Sequence, residues 1–414
     1  MLLNPEQFTI RPATDGQALQ HGKACFEVTD WRARMSLEDF NAIAEREQSE
    51  AEYAKDHGVI GWVLVRWDEY EGEIYSALET QVTALTPVSS VAHATYTAIA
   101  RNASSRTKAR VKSGTAGCQG YATHLIRLLH YILTSPSPTI TQPTISQTIP
   151  PYPPSWGQRP PPIPHELVPY VPRADGSMLW SDVLMRVYER CTLGLEGRGF
   201  QSKQEWNHTL TWKLNGTPES QSDWEYIWES DLEDIYPVLS ANSRHKLSQA
   251  QTIDKPAFLC DPASPGTLTM IPVRGSYSPQ PTWRTRVLPY GIRLRATKGQ
   301  GWEYEAVVLF SLYNSAASPR LCVTYMQNIT PGLLPSLLTS LDGAVQYSGA
   351  PWTEGEVWGL DPTSELVHAW NRAEGRDVVV STRIGTEAMA HVLGVCWYDE
   401  EEVDMVDSQM WAWV

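Results

Sequence analysis

Ser113-Gly-Thr-Ala-Gly-Cys-Gln-Gly120, followed without a break by Tyr121-Ala-Thr-His-Leu-Ile-Arg-Leu-Leu-His-Tyr-Ile-Leu-Thr134, is a glycine-punctuated loop running into an amphipathic helix. Ala122, Leu125, Ile126, Leu129, Ile132 and Leu133 recur at i, i+3, i+4, i+7, which places them on one buried helical face. Successive backbone N–H groups at a helix start form an anion site.

Upstream, Gln7 to Pro12 reads as a short strand, and apolar residues at helical spacing continue to about Val28. Ser36-Leu-Glu-Asp39 is an N-cap serine with an acid three positions on, opening a polar helix that runs to about Ala54. Gly58 to Val65 is a buried strand, Glu73 to Thr83 its hairpin partner, and Ala94 to Val111 a further extended stretch. Downstream, eleven of the thirty prolines fall between Pro136 and Pro164. Proline removes a backbone donor and restricts its predecessor, so residues 135–165 are expected to form a mobile surface insertion. Met178 to Asp182 then reads as a strand, a helix follows through Tyr188 and Cys191, and Thr209 to Leu214 closes a first domain, 1–216, as another strand.

Twelve of the seventeen tryptophans lie from Trp206 onward, and this shift in character marks 217–414 as a second, Trp-rich domain. Its short β-like runs, Glu305 to Leu312 and Arg320 to Tyr325, and a helical Gly332 to Leu341 make it α+β. Irregular tryptophan spacing and the lack of an evident internal repeat exclude a propeller or solenoid.

Composition narrows the function. With 414 residues and 42% hydrophobic content the chain builds a substantial core. Mean hydropathy is -0.33, and no apolar run is long enough to span a bilayer. The first thirty residues show no secretory pattern, which implies a cytoplasmic protein. A net charge of -14 argues against nucleic-acid binding and is compatible with amine partners. Six well-separated cysteines (Cys25, Cys118, Cys191, Cys260, Cys322, Cys396) offer neither zinc spacing nor a disulfide framework and read as buried thiols. His124 and His130 lie six apart with no third ligand, so no metal is expected, and they read as helical surface residues.

The order strand, helix, helix, strand, hairpin, strand, glycine loop, long helix resembles the GNAT acetyltransferase arrangement. Met35-Ser-Leu-Glu-Asp-Phe40, Glu45-Arg-Glu47, Gly61-Trp-Val-Leu-Val65, Ser76-Ala-Leu-Glu-Thr80 and the Gly120 to Leu133 helix look like the fungal lysine N-acetyltransferase-like family in particular. Leu179-Trp-Ser-Asp182, Tyr188-Glu-Arg-Cys191, Trp397-Tyr398 and Met410-Trp-Ala-Trp413 continue the resemblance into both domains. It implies an α+β fold, a GNAT-like mixed sheet flanked by helices, with acetyl-CoA as co-substrate. The family's pyrophosphate loop falls on Gly117, Cys118, Gln119, Gly120, Tyr121 and Ala122, with Arg110 and Val111 ahead of it. Gly120 and Ala122 match that loop. Gly117 stands where the family has arginine or glutamine, and Cys118 stands where it usually has a second glycine.

Acetyl transfer needs a group to take the amine proton and a group to return one to the thiolate. The resemblance gives these roles to Glu79 and Tyr188; without it, Glu79 is an exposed strand glutamate and Tyr188 a core aromatic. Cys118 as a nucleophile and the Val414 carboxylate as a base are weaker alternatives. Two functions follow. One is a CoA-dependent N-acyltransferase acting on an amino acid or small amine-bearing metabolite. The other is a GNAT fold repurposed without CoA as a cyclase or lyase of fungal secondary metabolism, whose tryptophan-rich cleft holds a hydrophobic intermediate. Folds host unrelated functions, and the site decides between them.

Overall fold

A computed structural model describes residues 3–28, 35–87, 94–103, 120–134, 150–172, 174–181, 185–216, 223–250, 257–277, 287–295, 304–312, 320–383, 391–398 and 403–409. The chain divides into two compact units, 1–202 with 254–256 and 385–404, and 203–253 with 257–384 and 405–414. Each is a mixed sheet flanked by helices.

In the first unit β1 (Phe8–Pro12), α1 (Asp15–Val28), α2 (Leu37–Glu50), β2 (Val59–Arg66), β3 (Ser76–Pro87), β4 (Ala94–Ala103), α3 (Tyr121–Thr134) and β5 (Gly176–Ser181) follow the expected order. The cap of α2 forms as its sequence requires: the Ser36 hydroxyl accepts the Asp39 N–H at 3.0 Å, and the Asp39 carboxylate accepts the Ser36 N–H at 3.3 Å. The core gathers Phe8, Ile10, Trp62 and Leu64 of the sheet against Leu125, Ile126, Leu129 and Leu133 of α3.

The second unit contains β6 (His208–Lys213), β7 (Glu225–Ile227), α4 (Leu232–Ala250), β8 (Ala257–Cys260), α5 (Met270–Tyr277), β9 (Gly291–Arg295), β10 (Tyr304–Ser311), β11 (Arg320–Gln327), α6 (Leu334–Ser348), β12 (Glu354–Trp358), α7 (Glu365–Asn371) and β13 (Val379–Thr382). A further strand, β14 (Val392–Trp397), belongs to the first unit, and a two-residue strand, β15 (Asp404–Met405), pairs with β8. The core of the second unit sets Leu337, Leu338 and Leu341 of α6 against Val308, Phe310, Leu321 and Val323.

The two sheets repeat one topology, although the sequence shows no evident repeat. Strand order is β1-β2-β3-β4-β5-β14 in one and β7-β9-β10-β11-β12-β6-β13 in the other. In each, the fourth and fifth strands (β4 with β5, β11 with β12) run parallel, and the strand beyond the fifth is antiparallel to it. That outer strand comes in each case from sequence next to the other unit: β14 follows the second unit, and β6 follows the first. The strand expected at Thr209 to Leu214 therefore does not close the first domain, and the division falls near residue 202 rather than 216. Each of these outer strands sets a tryptophan against a glycine, on the face away from α3 in the first sheet and on the α6 face in the second. Gly176 of β5 faces Trp397 of β14, and Gly355 of β12 faces Trp212 of β6; at both glycines an added Cβ would run into the indole.

Three further expectations are corrected. The second half of the proline-rich segment is packed structure, with Tyr152 and Trp156 edge-on to Tyr131 at 5.0 and 5.7 Å and the Tyr131 hydroxyl donating to the Pro151 carbonyl at 3.0 Å. Aromatic stacking on α3 supplies the burial that proline-rich backbone cannot obtain from a hydrogen-bonded ladder; residues 135–149 lie outside the described residues. His124 and His130 are buried rather than on the surface, the His130 ring lying 5.6 Å from Phe200 and 5.1 Å from Tyr398. Burial, with Arg127 nearby, pushes their pKa values down to about 4 and about 3, so both are neutral. Finally, Trp212, Trp224, Trp358 and Trp370 are buried and fill the second unit instead of lining a cleft.

Candidate functional site

In the first unit the parallel pairing of β4 with β5 runs from Tyr96↔Gly176 to Ala98↔Met178 and then stops, while both strands continue. Immediately beyond, the β3–β4 register jumps from Thr80↔Ile99 to Glu79↔Arg101, so Ala100 is a β-bulge. A bulge adds local twist and withdraws a residue from the ladder. Here it parts β4 from β5 and leaves main-chain amide groups of residues 99–103 facing the gap, where they need partners other than β5. The second unit repeats the device: parallel pairing ends at Val323↔Val357, and the step from Leu309↔Tyr325 to Phe310↔Val323 makes Thr324 the bulge.

Glu79 is half-buried on β3 beside the first bulge, in register with Arg101 on one side and Gly61 on the other. Leu78 and Thr80 face the α3 core, the Thr80 hydroxyl accepting the Trp62 indole N–H at 2.8 Å. Alternation puts Glu79 on the opposite face, with Ala77, and Gly61 leaves no side chain beside it on β2. In the second unit the matching row is Gly291, Leu309 and Tyr325, with a buried leucine in place of the glutamate.

The start of α3 carries Gly120, Tyr121 and Ala122. Gly120 has φ +84°, the left-handed region that favours glycine, and its carbonyl accepts the His124 N–H at 2.8 Å. No acidic residue stands in the first turn of α3, so the positive end of the helix dipole is uncompensated there. Ala122 is half-buried. Tyr121 is a core residue, its ring 5.3 Å from Phe8 and 5.5 Å from Tyr75. Arg110, Val111, Gly117, Cys118 and Gln119, and also Val414, lie outside the described residues.

Tyr188 sits on a 3-10 turn, Met185–Arg190, rather than on the expected α-helix. It is buried in the α3-side core with its ring 5.9 Å from Phe200, so the structure sets it on the face of the sheet away from Glu79. Burial raises the Cys191 thiol to about 12, and Cys25, Cys260, Cys322 and Cys396 are also buried thiols outside any disulfide. Among the described residues no group of side chains is arranged to hold a metal ion, and no helix is long and apolar enough to cross a membrane.

No family model and no curated protein matches the sequence. The structure neighbours are GCN5-related N-acetyltransferases. One is an enzyme from Anabaena variabilis ATCC 29413, with TM-score 0.49 and 10% identity over 95% of this chain and 73% of that one. Another is a tandem GNAT protein from the clavulanic acid biosynthesis pathway, with TM-score 0.42 and 9% identity over 96% of this chain and 100% of that one. A third is the glucosamine N-acetyltransferase region of a fungal multi-domain GH3 β-N-acetylglucosaminidase, with TM-score 0.44 and 12% identity over 94% of this chain and 38% of that one. These likenesses are distant, and the strand order, the parallel splay and the bulge of this chain carry the functional reading by themselves.

Proposed function

We propose that the first unit is a CoA-dependent N-acyltransferase that moves an acetyl group to an amino acid or a small amine-bearing metabolite. The observation that carries this reading is the splay of β4 from β5 at the Ala100 bulge, with Glu79 in register beside it on β3. An extended chain of amides satisfies main-chain groups left at a strand edge, as in β-strand addition, and the pantetheine arm of CoA is such a chain. The uncompensated N-terminal end of α3 suits the pyrophosphate. A main-chain N–H freed by the bulge would stabilise charge developing on the thioester oxygen.

In the reaction the amine nitrogen attacks the thioester carbon, the C–N bond forms, the C–S bond breaks, and the amine proton passes to Glu79 directly or through a water. The thiolate leaves and takes up a proton. Glu79 is the base of this scheme; Tyr188, which the resemblance makes the proton donor, is packed in the core and is tested separately below. Nothing among the described residues favours the coenzyme-free reading, whose aromatic lining is spent on packing. The resemblance to the fungal lysine N-acetyltransferase-like family makes an amino-acid amine the first acceptor to try.

The test is acetyl-CoA-dependent thiol release across a panel of amino acids and simple amines. Turnover with at least one amine, lowered roughly 10²- to 10⁴-fold in Glu79→Gln, is the expected result. A wild-type protein that releases no thiol with any amine and does not bind acetyl-CoA would sink the reading.

A further inference from the structure

The second unit has the same splay as the first, and its contents are visible. Beyond Val323 the strand β11 has no partner on the β12 side, yet it continues to Gln327. Met326 is buried there, and its main-chain groups need partners. They are met by a side chain. The Gln409 amide accepts the Met326 N–H at 2.7 Å and donates to the Met326 carbonyl at 3.1 Å, which reproduces both halves of a strand-to-strand pairing. Gln409 is itself held in place, because its Nε2 also donates to Asp407 at 3.1 Å, and the other Asp407 oxygen is paired with Lys246 of α4 at 2.8 Å. The Val406 N–H donates to the Phe258 carbonyl at 2.8 Å and anchors the segment one residue earlier. On the opposite wall, Gly359, just past β12 and with φ +75°, lies against the Ser408 backbone; an added Cβ would come within 2.9 Å of the Gln409 nitrogen. Ser408 and Gln409 are both buried.

We infer that the splay of β11 from β12 is an amide-binding slot occupied in cis by residues 407–409, so that the second unit is closed to an acyl donor and the chain has one donor cleft, in the first unit. The strap stands on the geometry of the second unit alone; the statement about a single donor cleft rests on the function proposed above. One feature fits a closed copy. The row that holds Glu79 in the first unit holds Leu309 in the second, which cannot act as a base. The position matching Met326 in the first unit is Asn102, counted from the two bulges.

Amide hydrogen exchange on the full chain tests this, in the wild type and in Gln409→Ala, each with and without acetyl-CoA. The Met326 amide should exchange roughly ten- to a hundredfold faster in Gln409→Ala, while Leu321 and Val323, paired within the sheet, remain unchanged and report intact folding. Gln409→Glu, which keeps an acceptor for the Met326 N–H, should retain more protection than Gln409→Ala. Equal Met326 exchange in wild type and Gln409→Ala would overturn the strap. Acetyl-CoA should protect residues 99–103 of the wild type and leave 324–327 unaffected; protection at 324–327 would overturn the closed slot. If acetyl-CoA protects neither stretch, the proposed function fails, and the Met326 comparison still decides the strap.

Discussion

Glu79 and Tyr188 enter as an acid–base pair by resemblance and part company in the structure, and the difference is chemical. Glu79 is half-buried beside a bulge, with a glycine for its neighbour on β2, whereas Tyr188 is packed against Phe200. Tyr188→Phe, which keeps the ring, should therefore leave thiol-release turnover within about fivefold of wild type, against the 10²- to 10⁴-fold loss expected for Glu79→Gln; equal losses would restore the tyrosine as proton donor. His124 and His130 give a second prediction at this scale. Their pKa values are depressed to about 4 and about 3, below the ordinary histidine value near 6.5 that the unfolded chain keeps. Between those limits the unfolded state binds more protons, so stability is present above about pH 6.5 and is lost as pH falls toward 4 and then 3. Urea midpoints measured from pH 7 to pH 4 should fall steadily, and His130→Gln should flatten the slope. Neither residue's burial was legible in sequence, because a histidine on an amphipathic helix is judged against one apolar face, and the rings that pack on His130, Phe200 and Tyr398, come from distant sequence.

Among elements, α3 shows how far pattern reading carries and where it stops. The stripe from Ala122 to Leu133 located the helix, but Leu128, His130 and Tyr131 are buried too: Phe200 and Tyr398 pack on His130, and Tyr152 and Trp156 of the proline-rich segment pack on Tyr131. Composition alone predicts mobility there, since it counts missing backbone donors and not the aromatic side chains set between the prolines. In the second unit, the Asp342 carboxylate takes two hydrogen bonds from Arg376, at 2.9 and 2.7 Å, and one from the Asn215 N–H at 2.9 Å. Both side chains are almost fully buried, so Asp342→Ala strands a buried guanidinium and should cost about 3–5 kcal/mol in chemical denaturation. Gly355→Ala forces a methyl into the Trp212 indole opposite it on β6. An overpacking loss of about 1–3 kcal/mol is expected; a neutral result would mean that the exchanged strand is not seated as described.

For the whole molecule, the element order of the first unit was readable from periodicity, capping and the glycine loop, while the duplication was not. Its marks are geometric: a parallel pair that stops at a bulge, an outer strand taken from sequence beside the other unit, and a row with glycine on the second strand. They are not legible in the sequence, because a repeat needs matching register and burial rather than matching residues. The strand exchange also escapes a reading that assigns each strand to its nearest neighbours in sequence. Two copies of the fold then differ where chemistry is concerned: one keeps Glu79 at its splay, and the other has Leu309 there and fills the gap with Gln409. The most direct test of this account is isothermal titration of the full chain with acetyl-CoA. The account predicts one site per chain, lost when the first unit's splay is altered and indifferent to Leu309. Two equivalent sites would contradict the closed second unit, and no binding at all would contradict the acyltransferase reading on which the account rests.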